Sequence, residues 1–135
     1  MFQIELTLDT IHTLKYLDAF VSETLRLYPT DTSIERIASH DYLLDDTIKV
    51  DKGVIIHIPV YTLHRDPNNF PDPDSFKPER FLSENRAYHP YSYLPFSAGP
   101  RNCVAKSLAL LEAKLAILHS VYNFKFDTTD NTDVI

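Results

Sequence analysis

The chain has 135 residues, 44% hydrophobic and 24% charged, with a formal net charge of -6. That is enough for one modest domain with a buried core. The acidic balance argues against a nucleic-acid binder, which needs a basic excess to displace counterions from phosphates, and the single cysteine excludes an internal disulfide and fits a reducing compartment.

No apolar run reaches the roughly 18 residues that span a bilayer. The stretch from Met1 to Thr10 has neither the basic start nor the apolar core of a signal peptide, so the chain is expected to carry no membrane anchor of its own. Ile11, Leu14, Leu17 (or Tyr16), Val21, Leu25 and Tyr28 recur at helical spacing and predict one amphipathic helix. Pro29 ends it, because the residue before proline is pushed out of helical geometry. Thr47 to Val50 and Val54 to Val60 are β-like runs flanking Asp51-Lys52-Gly53, which reads as a hairpin.

From Pro59 to Pro100 the texture changes, with eight of the nine prolines in this stretch. Pro67, Pro71, Pro73 and Pro78 are too close together for a long helix or a central strand. Phe70, Phe76, Phe81, Tyr88, Tyr91, Tyr93 and Phe96 are interleaved with them, so the expectation is a packed meander rather than a disordered linker. Val104, Leu108, Leu111, Leu115, Leu118 and Tyr122 then repeat at four, three, four, three, four. They predict a second helix that starts directly after Cys103. The polar tail from Asp127 to Ile135 is expected to fray.

Cys103 has two readings on local physics. A lone cysteine is usually a small buried hydrophobe. A thiol in the first turn of a helix instead meets backbone N–H groups and the positive end of the helix dipole, which favour the thiolate that ligates metals. Arg101 adds positive charge, and Gly99-Pro100 makes a tight turn before the sulfur. Glu23 and Arg26, three apart on a helix, lie on one face and can pair; such pairs are usually solvated. The six histidines (His12, His40, His57, His64, His89 and His119) show no metal-ligand spacing, so surface or structural roles are expected of them.

The stretch Phe96-Ser97-Ala98-Gly99-Pro100-Arg101-Asn102-Cys103 resembles the haem-thiolate signature of the cytochrome P450 family. Glu23-Thr24-Leu25-Arg26 and Pro78-Glu79-Arg80-Phe81 resemble that family's helix and meander motifs. The order of the segments also fits, from about Thr13 to Asp127. The resemblance implies a mainly α fold with a small β hairpin, the C-terminal part of the family fold, with residues 1–135 forming a single partial domain. It implies Cys103 as thiolate ligand to the iron of haem b, with Phe96 shielding the sulfur. Gly99 would let the loop pass close to the haem, and Arg101 and Arg36 would meet its propionates. It implies that Arg80 joins Glu23 and Arg26 in a buried structural triad, and it assigns no catalytic side chain within this stretch. Thr30 to Ile34 would line a substrate pocket. Ala105 stands where the family usually has glycine, which bears on how closely the helix approaches the porphyrin.

The wording of Leu63 to Pro67 and of Tyr93 to Cys103 looks most like animal microsomal members. Those insert one oxygen atom of O2 into lipophilic small molecules, on the cytoplasmic face of the endoplasmic reticulum membrane. A flavoprotein reductase supplies their electrons, and Arg101, Lys106 and Lys114 would lie on its docking side. Complete members are several times longer and carry an N-terminal anchor and a long central helix, so a fragment or truncated product is expected, inactive by itself. Two readings stay open: the haem-ligating part of a monooxygenase, or a truncated non-catalytic relic that binds haem weakly or not at all.

Overall fold

The computed structural model describes residues 7–85, 87–130 and 132. Two helices open the chain where the spacing predicted one: α1 (Leu8–Thr13) and α2 (Lys15–Leu27). Thr7 caps α1 by accepting from the Thr10 N–H at 3.2 Å. The break falls at Leu14, at φ -80° and ψ 73°. Just before it, the Thr13 hydroxyl donates to the Thr10 carbonyl at 2.7 Å, a side-chain bond that competes with the helical ladder. Tyr28, at φ -126° and ψ 65°, ends α2 ahead of Pro29.

Four short strands follow: β1 (Ile34–Ile37), β2 (Tyr42–Leu44), β3 (Ile48–Val50) and β4 (Ile55–Ile58). The expected hairpin across Asp51-Lys52-Gly53 does not form, because β3 pairs antiparallel with β2, and β4 with β1. The hairpin turn is Asp45-Asp46, at φ 50° and 56°, with the Thr47 N–H donating to the Leu44 carbonyl at 3.1 Å. Positive φ at both central residues matches the twist of the flanking strands, and aspartate tolerates it better than most residues. Gly53, at φ 88°, instead bends the chain from one pair to the other, and its N–H donates to the Ala38 carbonyl at 2.8 Å.

The proline-rich stretch is a packed meander. It contains α3 (Val60–Leu63) and short 3-10 turns at Pro78–Phe81, Ser83–Asn85 and Pro90–Ser92. Phe70 and Phe81 bury themselves against Ala19 of α2, with Leu82, Tyr88 and Tyr93 around them. The Phe81 and Tyr93 rings lie 4.7 Å apart, and Phe70 and Tyr88 5.1 Å apart. Tyr91 and Phe76 stay exposed.

α4 (Lys106–Asn123) is the longest helix. It is apolar nearly all round, so more than one stripe can serve as its inner face. Ala109, Leu110, Ala113 and Ile117 line a cleft shared with Phe20, Val21 and Leu25 of α2. Of the residues that carry the sequence periodicity, Val104, Leu108 and Tyr122 face outward. The described tail, residues 127–130 and 132, has neither helix nor strand. The fold is therefore mainly helical with small β hairpins.

Candidate functional site

Two arrangements meet in this fold: a buried polar knot between α2 and the meander, and the loop that carries Cys103. The knot starts at the end of α2. A helix leaves its last carbonyls without partners, and here residues from the end of α3 and beyond supply them. His64 Nδ1 bonds the Arg26 carbonyl at 3.2 Å, and Arg65 Nη2 donates to the Leu27 carbonyl at 2.8 Å. One turn back, the Tyr93 hydroxyl donates to the Ser22 carbonyl at 2.9 Å.

Glu23 and Arg26 are both fully buried, at 0% exposure. Arg26 donates to the two Glu23 carboxylate oxygens at 2.7 and 2.9 Å in a bidentate fork. Its remaining donors reach the His64 carbonyl at 2.9 Å and the Ser75 carbonyl at 3.3 Å. Glu23 also accepts from the Lys77 N–H at 2.8 Å and from Arg80 Nε at 3.4 Å. Arg80 continues outward to the carbonyls of Pro71 and Asp72. The structure thus brings Glu23, Arg26 and Arg80 together through a shared carboxylate, and it fastens the meander to α2.

His64, like Arg65, is a member of this knot to which the sequence assigned no role of its own. Its available signal was Val60, one helical turn before it, since both are buried on the same side of α3. The Arg26 carbonyl can only accept, so Nδ1 carries the proton; Nε2 then accepts from the Leu94 N–H at 2.9 Å. Burial, aided by the charges of Arg26 and Arg65, lowers its pKa to about 4 and keeps it neutral. Burial likewise pushes the Tyr93 phenol well above its ordinary value. The other five histidines are exposed, and among the described residues no cluster of His, Cys, Asp and Glu could hold a metal ion.

The cysteine loop follows directly from Leu94. The Ser97 N–H donates to the Leu94 carbonyl at 3.1 Å, and the Cys103 N–H to the Phe96 carbonyl at 2.9 Å, which closes the loop across Gly99. Gly99 sits at φ 81°, a conformation that favours glycine, and the space where a side chain would stand is open. Ser97 adopts φ 62°, uncommon for serine. Its hydroxyl accepts from Arg36 Nη2 at 2.6 Å, and Arg36 also donates to the Arg101 carbonyl at 3.3 Å. Arg36 of β1 is thereby tied to the loop across more than sixty residues of sequence.

Two expectations about this loop are corrected. α4 begins at Lys106, with Ala105 at its N-cap, not directly after Cys103. The cysteine lies in the turn that leads into the helix, where the Lys106 N–H meets the Cys103 carbonyl at 3.4 Å. Lys114 does not face a docking partner: it is 7% exposed and its ammonium pairs with Asp18 of α2. Arg101 and Lys106 are exposed. So is Cys103. Phe96 lines the apolar cleft between α2 and α4, as does Thr30. The loop therefore offers an accessible thiol, two arginines and an apolar wall. That donor set fits an iron porphyrin: a soft ligand for the metal, guanidinium groups for its carboxylates, and apolar surface for the ring.

Among the described residues no helix is long and apolar enough to cross a membrane. The family model for cytochrome P450 matches residues 2–135. Over 129 residues, 95% of this chain, the sequence is 43% identical to cytochrome P450 3A1 of Rattus norvegicus and 44% identical to cytochrome P450 3A6 of Oryctolagus cuniculus. Over 133 residues, 96% of this chain, it is 40% identical to cytochrome P450 9e2 of Blattella germanica. The aligned stretch covers 25%, 26% and 25% of those three proteins, so the chain spans about a quarter of the length of the curated relatives it matches. With the cysteine loop, the buried carboxylate knot and a match along nearly its whole length, the chain belongs to the cytochrome P450 family.

Proposed function

We propose that this chain is the haem-binding part, a single partial domain, of a monooxygenase that inserts one oxygen atom of O2 into a lipophilic substrate. Cys103 would be its iron ligand. The observation that carries the proposal is the loop: an exposed cysteine whose backbone N–H donates to the Phe96 carbonyl, beside an open glycine and an arginine tied in from β1. When bound, thiolate-ligated haem b supplies oxygen activation, with the sulfur donating electron density to the iron. The chain's own residues do the holding. Arg101 and Arg36 would pair with the haem carboxylates, Phe96 would shield the sulfur, and Gly99 would leave room for the ring. Glu23, Arg26 and Arg80 fix the meander to α2 and take no part in the chemistry. A flavoprotein reductase docks on the side of Arg101 and Lys106, and the full-length parent sits on the cytoplasmic face of the endoplasmic reticulum membrane.

The test is the carbonyl difference spectrum of the reduced, haem-loaded protein, measured on this chain and on the full-length parent. The thiolate-type band is expected in the parent and weakly in the chain alone, and Cys103→Ser should abolish it together with turnover while leaving the circular dichroism unchanged. A thiolate-type band in the Cys103→Ser parent would overturn the assignment.

A further inference from the structure

We propose that His64 is a positioning residue for the cysteine loop, acting through its bond to the Leu94 N–H. The imidazole is fully buried and bridges two elements thirty or more residues away in sequence on either side. One nitrogen bonds the Arg26 carbonyl at 3.2 Å, and the other accepts from the Leu94 N–H at 2.9 Å. The His64 carbonyl accepts from Arg26 Nη1 at 2.9 Å, so the residue is held at both its backbone and its ring. Its ring also stacks at 5.2 Å on Tyr93, the residue just before Leu94.

Leu94 is the last buried residue before the loop, and its carbonyl accepts the Ser97 N–H at 3.1 Å. Ser97 in turn anchors Arg36 at 2.6 Å, and the next link, Phe96, accepts the Cys103 N–H at 2.9 Å. The loop beyond Leu94 is anchored by Phe96 in the apolar cleft between α2 and α4, while Ser97 and Ala98 are half-buried and residues 99–105 are exposed. Its entry is set where it leaves the buried knot, and His64 makes the side-chain bond to the backbone at that point. The bond needs an acceptor, which the Nδ1–H tautomer provides and which an aliphatic side chain cannot.

The two arms of the imidazole can be separated by substitution. In His64→Asn the amide nitrogen takes the Nδ1 position and keeps the Arg26 arm, but it leaves the Leu94 N–H unpartnered. In His64→Gln the longer side chain carries a carbonyl oxygen to the Nε2 position and restores the Leu94 arm. Leu94 and Cys103 amide exchange, and the reaction rate of the single thiol with a disulfide reagent, should rise roughly tenfold in His64→Asn. Both should return to within about twofold of the parent in His64→Gln. A scalar coupling across the hydrogen bond between the Leu94 amide nitrogen and His64 Nε2 in the unaltered protein supplies a reading that requires no variant.

Absence of that coupling, or equal exchange and thiol reactivity in His64→Asn and His64→Gln, overturns the proposal. The consequence for haem rests on the function proposed above: His64→Asn should lose a larger fraction of thiolate-type CO signal than His64→Gln. The amide and thiol readouts need no haem, so failure of the one is distinguishable from failure of the other.

Discussion

Replacing Glu23 by glutamine tests whether the buried knot holds the fold together. The side chains are nearly isosteric, so little volume changes and the loss is one of charge. Arg26 is at 0% exposure, so its guanidinium would remain in the interior facing an amide instead of a carboxylate. It would keep the His64 and Ser75 carbonyls at 2.9 and 3.3 Å but lose the charge-assisted fork at 2.7 and 2.9 Å. Removing one partner of such a pair costs about 3–5 kcal/mol, against about 5–15 kcal/mol for the whole stability of a typical domain. Urea unfolding followed by circular dichroism should therefore show a large drop in midpoint. The double variant Glu23→Gln with Arg26→Met removes both charges and should recover a substantial part of the loss, because the uncompensated charge is the main cost. If Glu23→Gln costs less than about 1 kcal/mol, the range of exposed pairs, the reasoning fails.

Further outcomes follow from the same structure. His64 binds its proton less readily in the folded protein, with a pKa lowered from 6.5 to about 4, so the unfolded chain holds more protons between those values. Its contribution to stability is full above about pH 6.5 and falls by roughly 3 kcal/mol as pH drops to about 4. The difference in unfolding free energy between parent and His64→Gln should follow that window, and a flat difference would refute it. Gly99→Ala and Gly53→Ala should each cost about 1 kcal/mol, since both glycines have positive φ and open space around the added methyl. Only Gly99→Ala should change thiol reactivity at Cys103, and equal effects from both would argue against local control of the loop. Arg36→Ala should raise amide exchange at Ser97 and Cys103 by severalfold through loss of the 2.6 Å bond to Ser97; unchanged exchange would count against the tie from β1.

Much of the fold was legible because it rests on short-range rules. Pro29 stops α2, the clustered prolines force the meander, and the spacing after Cys103 gives α4. The strand partners were not legible. Asp51-Lys52-Gly53 carries the stronger turn signal, yet the hairpin turns on Asp45-Asp46, because β4 is taken by β1. Pairing depends on which edge is free, and no local window contains that. α4 posed the opposite problem: with apolar residues on several faces, its pattern fits more than one inner side, and α2 selects Ala109, Leu110, Ala113 and Ile117. In the candidate site, Glu23, Arg26, Arg80 and the Phe96–Cys103 loop were visible as motifs, and Arg36 only through the family resemblance. His64 was not, because a lone histidine acquires its role only from the Arg26 and Leu94 backbone groups that the fold brings to its two nitrogens.

The distribution of burial explains why polar groups carry the positioning here. The aromatic core lies between α2 and the meander, where Phe70 and Phe81 pack on Ala19. On the other side the loop, the start of α4 and the strands are largely exposed. Phe96 lines the apolar cleft between α2 and α4, but the loop from Gly99 on is exposed and gains little from apolar contacts, whose contribution scales with the area removed from water. Directional bonds fix it instead: Leu94 N–H to His64, Arg36 to Ser97, and Cys103 N–H to Phe96. Each contributes only about 1 kcal/mol to stability, yet together they constrain the loop at its entry, its middle and its exit. The backbone that carries the thiol is thereby held in place, as the proposed ligation by Cys103 would require.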